Sequence, residues 1–316
     1  MSGAGRVEWI PVCTLASGAP LRLAVHCVDG ARDGPSLGVV TALHGDEIVG
    51  IEIVRRVVER VDPRALRGRL RLVPVANPLA FETLTRNTPL QVEGGNLNRV
   101  FPGTAGGDPA HLMAQALAEH YLPQITHLVD IHNGGTHPIV DYCISLGDLA
   151  MTRAFGQTVI KDMGEMGRSY TLAGTAIQQG RPAMIVEVGG GYFRDEHYAQ
   201  MGARGVFNVM KHLGMVDGTP ELPARQHVVD EVASIRPRHG GLLYPAIPVE
   251  TLGQRIAGGT LLGRVVSPYT FEVLEELRTP FADGIVVLLR PAVSRVNPGD
   301  YAFMVADLEG ARILEN

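Results

Sequence analysis

From about residue 36 the chain alternates short apolar runs with longer amphipathic stretches, the pattern of strands and crossover helices around a mostly parallel sheet. The apolar runs fall at 36–43, 70–76, 126–131 and 183–188. Each is rich in Val, Ile and Leu, as a strand covered on both faces requires. Between them, 48–61 carries apolar residues at helical spacing, and the Ala-rich 111–121 follows a Gly/Pro-rich loop, so both predict helices. Beyond Gly214 the texture changes to short runs punctuated by Pro and Gly, such as GGLLYPAIP, IAGGTLLGRVV, GIVVLLRP and GDYAFMVAD. These read as small antiparallel strands joined by turns. The expected organisation is an α/β domain over 1–214, a linker at about 215–226 containing two prolines, and a smaller β-rich domain over 227–316.

Composition supports a soluble globular chain, with 45% apolar and 19% charged residues. The net charge is −5 and the basic residues are scattered, which argues against a nucleic-acid partner. Lys161 and Lys211 are the only lysines, a bias that base composition of the genome explains as readily as function. Three widely spaced cysteines, Cys13, Cys27 and Cys143, form no CxxC pair and fit a reducing, cytoplasmic setting. The N-terminal segment lacks the features of a signal peptide, and no apolar run reaches membrane-spanning length, so no membrane partner is expected. A homo-oligomer is compatible with this composition.

Three segments carry chemistry. The first, His44-Gly45-Asp46-Glu47, ends a predicted buried strand and begins a helix. In open α/β sheets ligands collect beyond the carboxyl ends of the strands, so a His and a Glu emerging there are able to face one ion. Gly45 would let the chain turn sharply. Taken alone, the spacing is also that of an acidic helix cap beside a surface histidine. The second, Asp130-Ile131-His132-Asn133-Gly134-Gly135, repeats this geometry on another strand. Asp130 and His132 share a face, and Asp130 is placed to fix an imidazole or a nearby arginine. In the third, Glu187 sits within an apolar strand just before Gly189, Gly190 and Gly191. A buried carboxylate there needs a metal, a hydrogen-bonding partner or a raised pKa, and backbone amides would also serve it. Arg86 and Arg99 lie in the polar stretch between the first two segments, where a guanidinium is able to grip a carboxylate or an oxyanion, or simply to decorate a turn.

Together the segments H-G-D-E, A-N-P-L-A, G-G-N-L-N-R-V-F-P-G, D-I-H-N-G-G and V-E-V-G-G-G, in this order over about 36–191, resemble the succinylglutamate desuccinylase/aspartoacylase family of zinc carboxypeptidase-like enzymes. The Gly-Gly-Asn form is similar to that of the N-acetyl-diaminobutyrate deacetylase branch. The resemblance implies a zinc-carboxypeptidase-like mixed sheet flanked by helices, and one Zn²⁺ per chain held by His44, Glu47 and His132. It further implies Glu187 as general acid/base, Asn98 and Arg99 as the pair binding the carboxylate of the substrate's amino-acid part, and Arg86 as the arginine polarising the scissile carbonyl. The interval from Arg86 to Asn98 is longer here than in aspartoacylases. The implied reaction is hydrolysis of a small N-acyl amino acid.

Two His and one Glu leave a fourth tetrahedral position open, the arrangement of a catalytic zinc site. A carboxypeptidase acting on peptides shares the same metal set, and a non-catalytic metal- or ligand-binding relative is the reading from another class. A C-terminal domain folded over the cleft would restrict access to small acyl amino acids, with Tyr142, His137, Tyr170 and Tyr192 as candidate pocket residues. The chain has no G-x-S-x-G, no G-x-x-x-x-G-K-[ST] and no H-E-x-x-H, so serine hydrolase, P-loop and thermolysin-like readings lack their central residues. The glycines at 258–263 read as turn chemistry.

Overall fold

Each of the four apolar runs forms a strand, and the four lie side by side. In the computed structural model, which describes residues 5–89, 95–164 and 170–316, a hairpin of β1 (Arg6–Thr14) and β2 (Pro20–Asp29) leads into β3 (Arg32–Val40). Then come α1 (Val49–Arg60), β4 (Arg67–Val73), the short α2 (Pro78–Glu82), α3 (Pro109–Ala116), β5 (His127–His132), β6 (Ile139–Ser145) and α4 (Leu149–Phe155). β7 (Val159–Asp162), α5 (Leu172–Gln178), β8 (Ala183–Gly189) and α6 (Asp195–His212) follow. Gly94, which opens the Gly-Gly-Asn segment, lies outside the described residues.

β3 pairs in parallel with β4 and β5, and β5 in parallel with β8. Their Leu, Val and Ile side chains are buried on both faces, as uninterrupted apolar strands demand. Helices α1, α4 and α6 cover one face. On the other face α3 packs on β1 and α5 on β5 and β8, in one apolar cluster with Leu128, Ile185, Val140 and Tyr142. α3 starts at Pro109, earlier than the apolar pattern indicates, because Asp108 caps it by accepting from the His111 amide at 3.0 Å. The sequence reading passed over the β1–β2 hairpin and α6.

The chain beyond 224 is β-rich, as expected. It contributes β9 (Arg225–Val229), β10 (Val232–Ile235), β11 (Gly241–Pro245), β12 (Arg255–Ala257) and β13 (Leu261–Val266). β14 (Val273–Arg278), β15 (Asp283–Leu289), β16 (Ser294–Val296), β17 (Phe303–Asp307) and β18 (Arg312–Glu315) complete it. β14, β13, β11 and β16 form a second, antiparallel sheet. The remaining strands join the first: β6 pairs antiparallel with β8 on one side and with β15 on the other, matching Leu288 to Val140 and Leu289 to Ile139. β15 then carries β17 and β10. No helix is long and apolar enough to cross a membrane among the described residues.

On the helix-covered face of β6, the Gln157 amide donates to Asp141 Oδ1 at 2.8 Å and to the Glu187 carbonyl at 2.9 Å. Burial pushes the Asp141 carboxyl up to about 6, against Gln157, which lowers it. A carboxyl raised on folding contributes most below its ordinary value of 3.8, and the contribution is lost as pH rises through about 6. Asp141→Asn is therefore expected to stabilise the protein by about 1–3 kcal/mol at pH 7. Thermal melts of both proteins between pH 4 and 8 check this, since the advantage must shrink toward the acid end. A gain independent of pH would mean that ionisation of Asp141 is not its source.

Candidate active site

The residues proposed from the three segments meet where β3, β5 and β8 end. His44 and Glu47 follow β3, His132 closes β5, and the parallel register sets Glu187 directly beside His132. Candidate ligand atoms of His44, Glu47 and His132 all lie within 4.8 Å of one another, and the three side chains are buried.

Glu47 is the hub. Its Oε1 lies 2.7 Å from His44 Nδ1 and accepts from Arg86 Nη1 at 2.9 Å. Its Oε2 lies 3.0 Å from His132 Nδ1 and accepts from the Asn133 amide at 3.3 Å. Burial would raise the Glu47 carboxyl, but the two imidazoles outweigh it and hold it well below the usual carboxylate range. Burial likewise drives the His44 imidazole below its ordinary value. It acts in the same direction on His132, where Asp130 and Glu47 outweigh it and raise the imidazole.

Behind the imidazoles stand the groups that orient them. His44 Nε2 is 3.0 Å from Asn96 Oδ1, which fixes Nε2 as donor and directs Nδ1 at Glu47. The same Asn96 oxygen accepts from the Asn98 amide at 3.0 Å and starts the turn that presents Arg99. His132 Nε2 lies 3.3 Å from Asp130 Oδ1 and 3.1 Å from Asn98 Nδ2, while Asn98 Oδ1 accepts from the Leu172 amide at 2.9 Å. Asp130 is fully buried and neither of its oxygens makes a well-formed hydrogen bond. Two buried acidic side chains thus flank two imidazoles whose Nδ1 atoms converge. Two nitrogens and a carboxylate are a donor set that suits zinc and related divalent ions, and Asp130 supplies the outer carboxylate that such sites commonly place behind a histidine. The residues therefore fit a metal ion.

Asp46 ties the loop after His44 to the loop after His132, its Oδ2 accepting from both the amide and the hydroxyl of Thr136 at 3.2 Å. Gly45 is required by proximity rather than by a left-handed turn: a Cβ there would meet the Ala80 carbonyl carbon at 2.0 Å. Gly45→Ala is expected to cost about 2–4 kcal/mol through this clash. Urea unfolding measures it, and a midpoint equal to that of the wild type would show that the contact is readily relieved.

A cavity of about 160 Å³ opens beside the cluster of His44, Glu47 and His132. Glu47, Arg86, Arg99, Tyr142 and Glu187 line it, joined by Lys161 and by Val232, Ser234, Leu288, Tyr301 and Met304 from the C-terminal strands. A more open depression of about 400 Å³, reaching His137, Arg236 and Arg290, shares Arg86 and Tyr301 with it and forms the approach. The Arg236 guanidinium lies 3.8 Å from the Tyr301 ring centroid and steadies that ring at the junction. Asn98 is turned toward His132 and Leu172, so of the Asn98–Arg99 pair it is Arg99 that lines the cavity. Tyr142 reaches the cavity and His137 the approach, while Tyr170 and Tyr192 are exposed. Asn96, Asp46, Lys161, Ser234 and Tyr301 were not anticipated. For the first two the signal was their place inside the recognised segments.

Residues 33–213 match the family model described as the succinylglutamate desuccinylase/aspartoacylase catalytic domain. The N-alpha-acetyl-L-2,4-diaminobutyric acid deacetylase of Halomonas elongata is 28% identical over 291 residues, covering 87% of this chain and 83% of that protein. Among solved structures, a succinylglutamate desuccinylase from a Silicibacter species superposes with a TM-score of 0.84 at 23% identity, over 97% of this chain and 96% of the other. The product-bound ectoine utilization protein EutE of Ruegeria pomeroyi gives 0.81 at 23% identity, over 97% of this chain and 100% of its own. At that identity the structural matches establish the fold.

Proposed function

The chain belongs to the succinylglutamate desuccinylase/aspartoacylase family, and from that premise we propose that it is a zinc-dependent deacylase that hydrolyses the amide bond of a small N-acyl amino acid. The observation that carries this reading is the convergence of His44, Glu47 and His132 at the wall of a cavity also lined by Glu187. The Halomonas relative is named for removing an acetyl group from an α-amine, the same kind of linkage.

His44, Glu47 and His132 would hold the metal ion, with Asn96 and Asp130 orienting the imidazoles. A bound divalent cation supplies Lewis acidity, which polarises a carbonyl and acidifies water. Glu187, beside His132 on one side and Tyr142 on the other, takes the proton of the attacking water and delivers it to the departing amine nitrogen. Arg86 brings a positive charge to the edge of the ligand set, where the carbonyl oxygen gains negative charge. Arg99 takes the carboxylate of the amino-acid part. Its Nη1 donates to the Asn98 carbonyl at 2.6 Å, and Asn98 is in turn anchored on His132 and Leu172.

The cavity is small for a binding site, with C-terminal residues forming part of its wall, which favours a compact substrate over a peptide. The deciding experiment measures metal content of the purified protein and then amine release from a panel of N-acyl amino acids. A protein that carries stoichiometric zinc yet releases no amine from any of them, or that trims long peptides instead, is not the enzyme proposed here.

A further inference from the structure

Among the described residues, those lining the cavity divide by charge according to where they come from. Glu47, Arg86 and Arg99 belong to segments that connect the elements of the α/β part, Glu187 to β8 and Lys161 to β7. The C-terminal strands contribute Val232, Ser234, Leu288 and Met304, none of them charged. The chemistry proposed above uses residues of the charged side and assigns nothing to the uncharged wall.

Strand pairing makes that wall a single surface. Val140 of β6 stands opposite Leu288 of β15, Leu288 opposite Met304 of β17, and Met304 opposite Ser234 of β10. Residues opposite one another on paired strands present their side chains to the same face, so these four form one row across the sheet. The row begins beside Glu187, because Val140 is also paired with Gly189, two positions beyond it on β8. Lys161 is opposite Ile144, toward the other end of β6, so Tyr142 and Glu187 separate it from the row. Val140 and Leu288 are buried, and Met304 packs against the same apolar cluster. The side of the cavity that leads away from Glu187 under the C-terminal strands is therefore an apolar floor.

Sheet order decides which part of a substrate reaches that floor. Arg99 follows Asn98, which is anchored on His132 of β5 and on Leu172 of α5. The C-terminal strands lie on the opposite side of Glu187, in the order β5, β8, β6, β15, β17, β10. With the amino-acid carboxylate at Arg99 and the scissile amide beside Glu187, the acyl group extends toward Val140, Leu288 and Met304. An acetyl methyl, one bond from the scissile carbon, stays beside Glu187, whereas about four carbons cover the roughly 5 Å of one strand spacing and lie on the row. A charged acyl tip there would give up its hydration against apolar side chains.

Resting on the deacylase reading above, we propose that the row Val140, Leu288 and Met304 is an acyl subsite that selects unbranched, uncharged aliphatic acyl groups longer than acetyl, with Met304 limiting their length.

The test compares kcat/KM for the acetyl, propionyl, butyryl, hexanoyl and succinyl derivatives of L-alanine in the wild type, Met304→Ala and Met304→Phe. N-butyryl-L-alanine is expected to exceed N-acetyl-L-alanine by about ten-fold, since each buried methylene contributes about three- to four-fold. N-succinyl-L-alanine should fall at least about ten-fold below the butyryl compound. Met304→Ala should move the preferred length to longer chains and Met304→Phe to shorter ones, whereas a loss of folded protein lowers every chain length alike. A wild-type preference for the acetyl or succinyl compound, or a length profile that neither variant shifts, overturns the proposal. Calorimetric binding of the same compounds to zinc-loaded Glu187→Gln protein, with and without Met304→Ala, separates this proposal from the reading it rests on. Absence of turnover on every compound counts against the deacylase. An affinity that rises from acetyl to butyryl and changes with Met304→Ala supports the subsite independently, and the absence of that rise overturns it.

Discussion

Replacing Glu187 by glutamine is expected to leave the protein folded and fully loaded with metal while lowering kcat by about a thousand-fold, the scale of a lost general acid/base. Glutamine keeps the volume and the capacity to hydrogen bond, but it neither takes a proton from water nor returns one to nitrogen. The position is suited to that substitution. Glu187 belongs to β8, whose backbone is paired on both sides, to His132 of β5 and to Tyr142 of β6. Its carbonyl accepts from Gln157 on the far face. The loss should therefore fall on turnover and spare the site's architecture. Metal content, the melting curve and steady-state kinetics on the best N-acyl substrate are the three measurements. Activity within a few-fold of the wild type would remove Glu187 from the mechanism, whereas loss of metal would make it a ligand or a structural prop.

Glu47→Gln should do the reverse. Both oxygens of Glu47 are engaged, by His44 and Arg86 on one side and by His132 and the Asn133 amide on the other. The neighbouring imidazoles hold its carboxyl well below the usual range, which favours the charged form. An amide of the same shape removes the formal charge that a cation needs and sets an NH2 group against one of its neighbours. Metal affinity is expected to fall by at least about a hundred-fold, with activity lost in step. Affinity for the native state appears directly as stability, so added zinc should raise the melting temperature of the wild type and chelator should lower it. The variant should show neither response. A Glu47→Gln protein that retains one metal equivalent through dialysis, or that responds to zinc as the wild type does, would falsify the ligand assignment.

The parts of the site that could be read from the sequence share a physical cause. His44, Glu47, His132 and Glu187 each lie near or just beyond the carboxyl end of a buried, largely apolar strand, where a polar side chain stands out. Strands buried on both faces are conspicuous, and so the sheet's centre was legible too. α6 was not, because Gly202 and Gly205 break its helical character. A Cβ at Gly202 would meet the Ile53 side chain at 2.2 Å, and one at Gly205 would meet the Phe155 ring at 2.4 Å. These glycines record how closely α6 packs on α1 and α4, which local propensity does not express. β1 was hidden for another reason: as an edge strand it buries few of its residues and lacks a clean alternation.

The far wall of the cavity lay beyond sequence reasoning altogether. Ser234, Leu288, Tyr301 and Met304 reach it only because β15 is laid along β6 and brings β17 and β10 with it. Nothing local in GIVVLLRP or GDYAFMVAD announces that pairing.

The ladder that runs from β8 through β6 into β15 also constrains how such a protein diverges. Because the strand bearing Glu187 and the strand bearing the opposite wall are separated by β6 alone, the tail is not a cap to be traded wholesale for another. Grafting a foreign tail would disturb the backbone beside Glu187. Divergence toward new acyl amino acids is channelled instead into single side chains on a fixed trellis, changed one at a time while the chemistry beside them stands still.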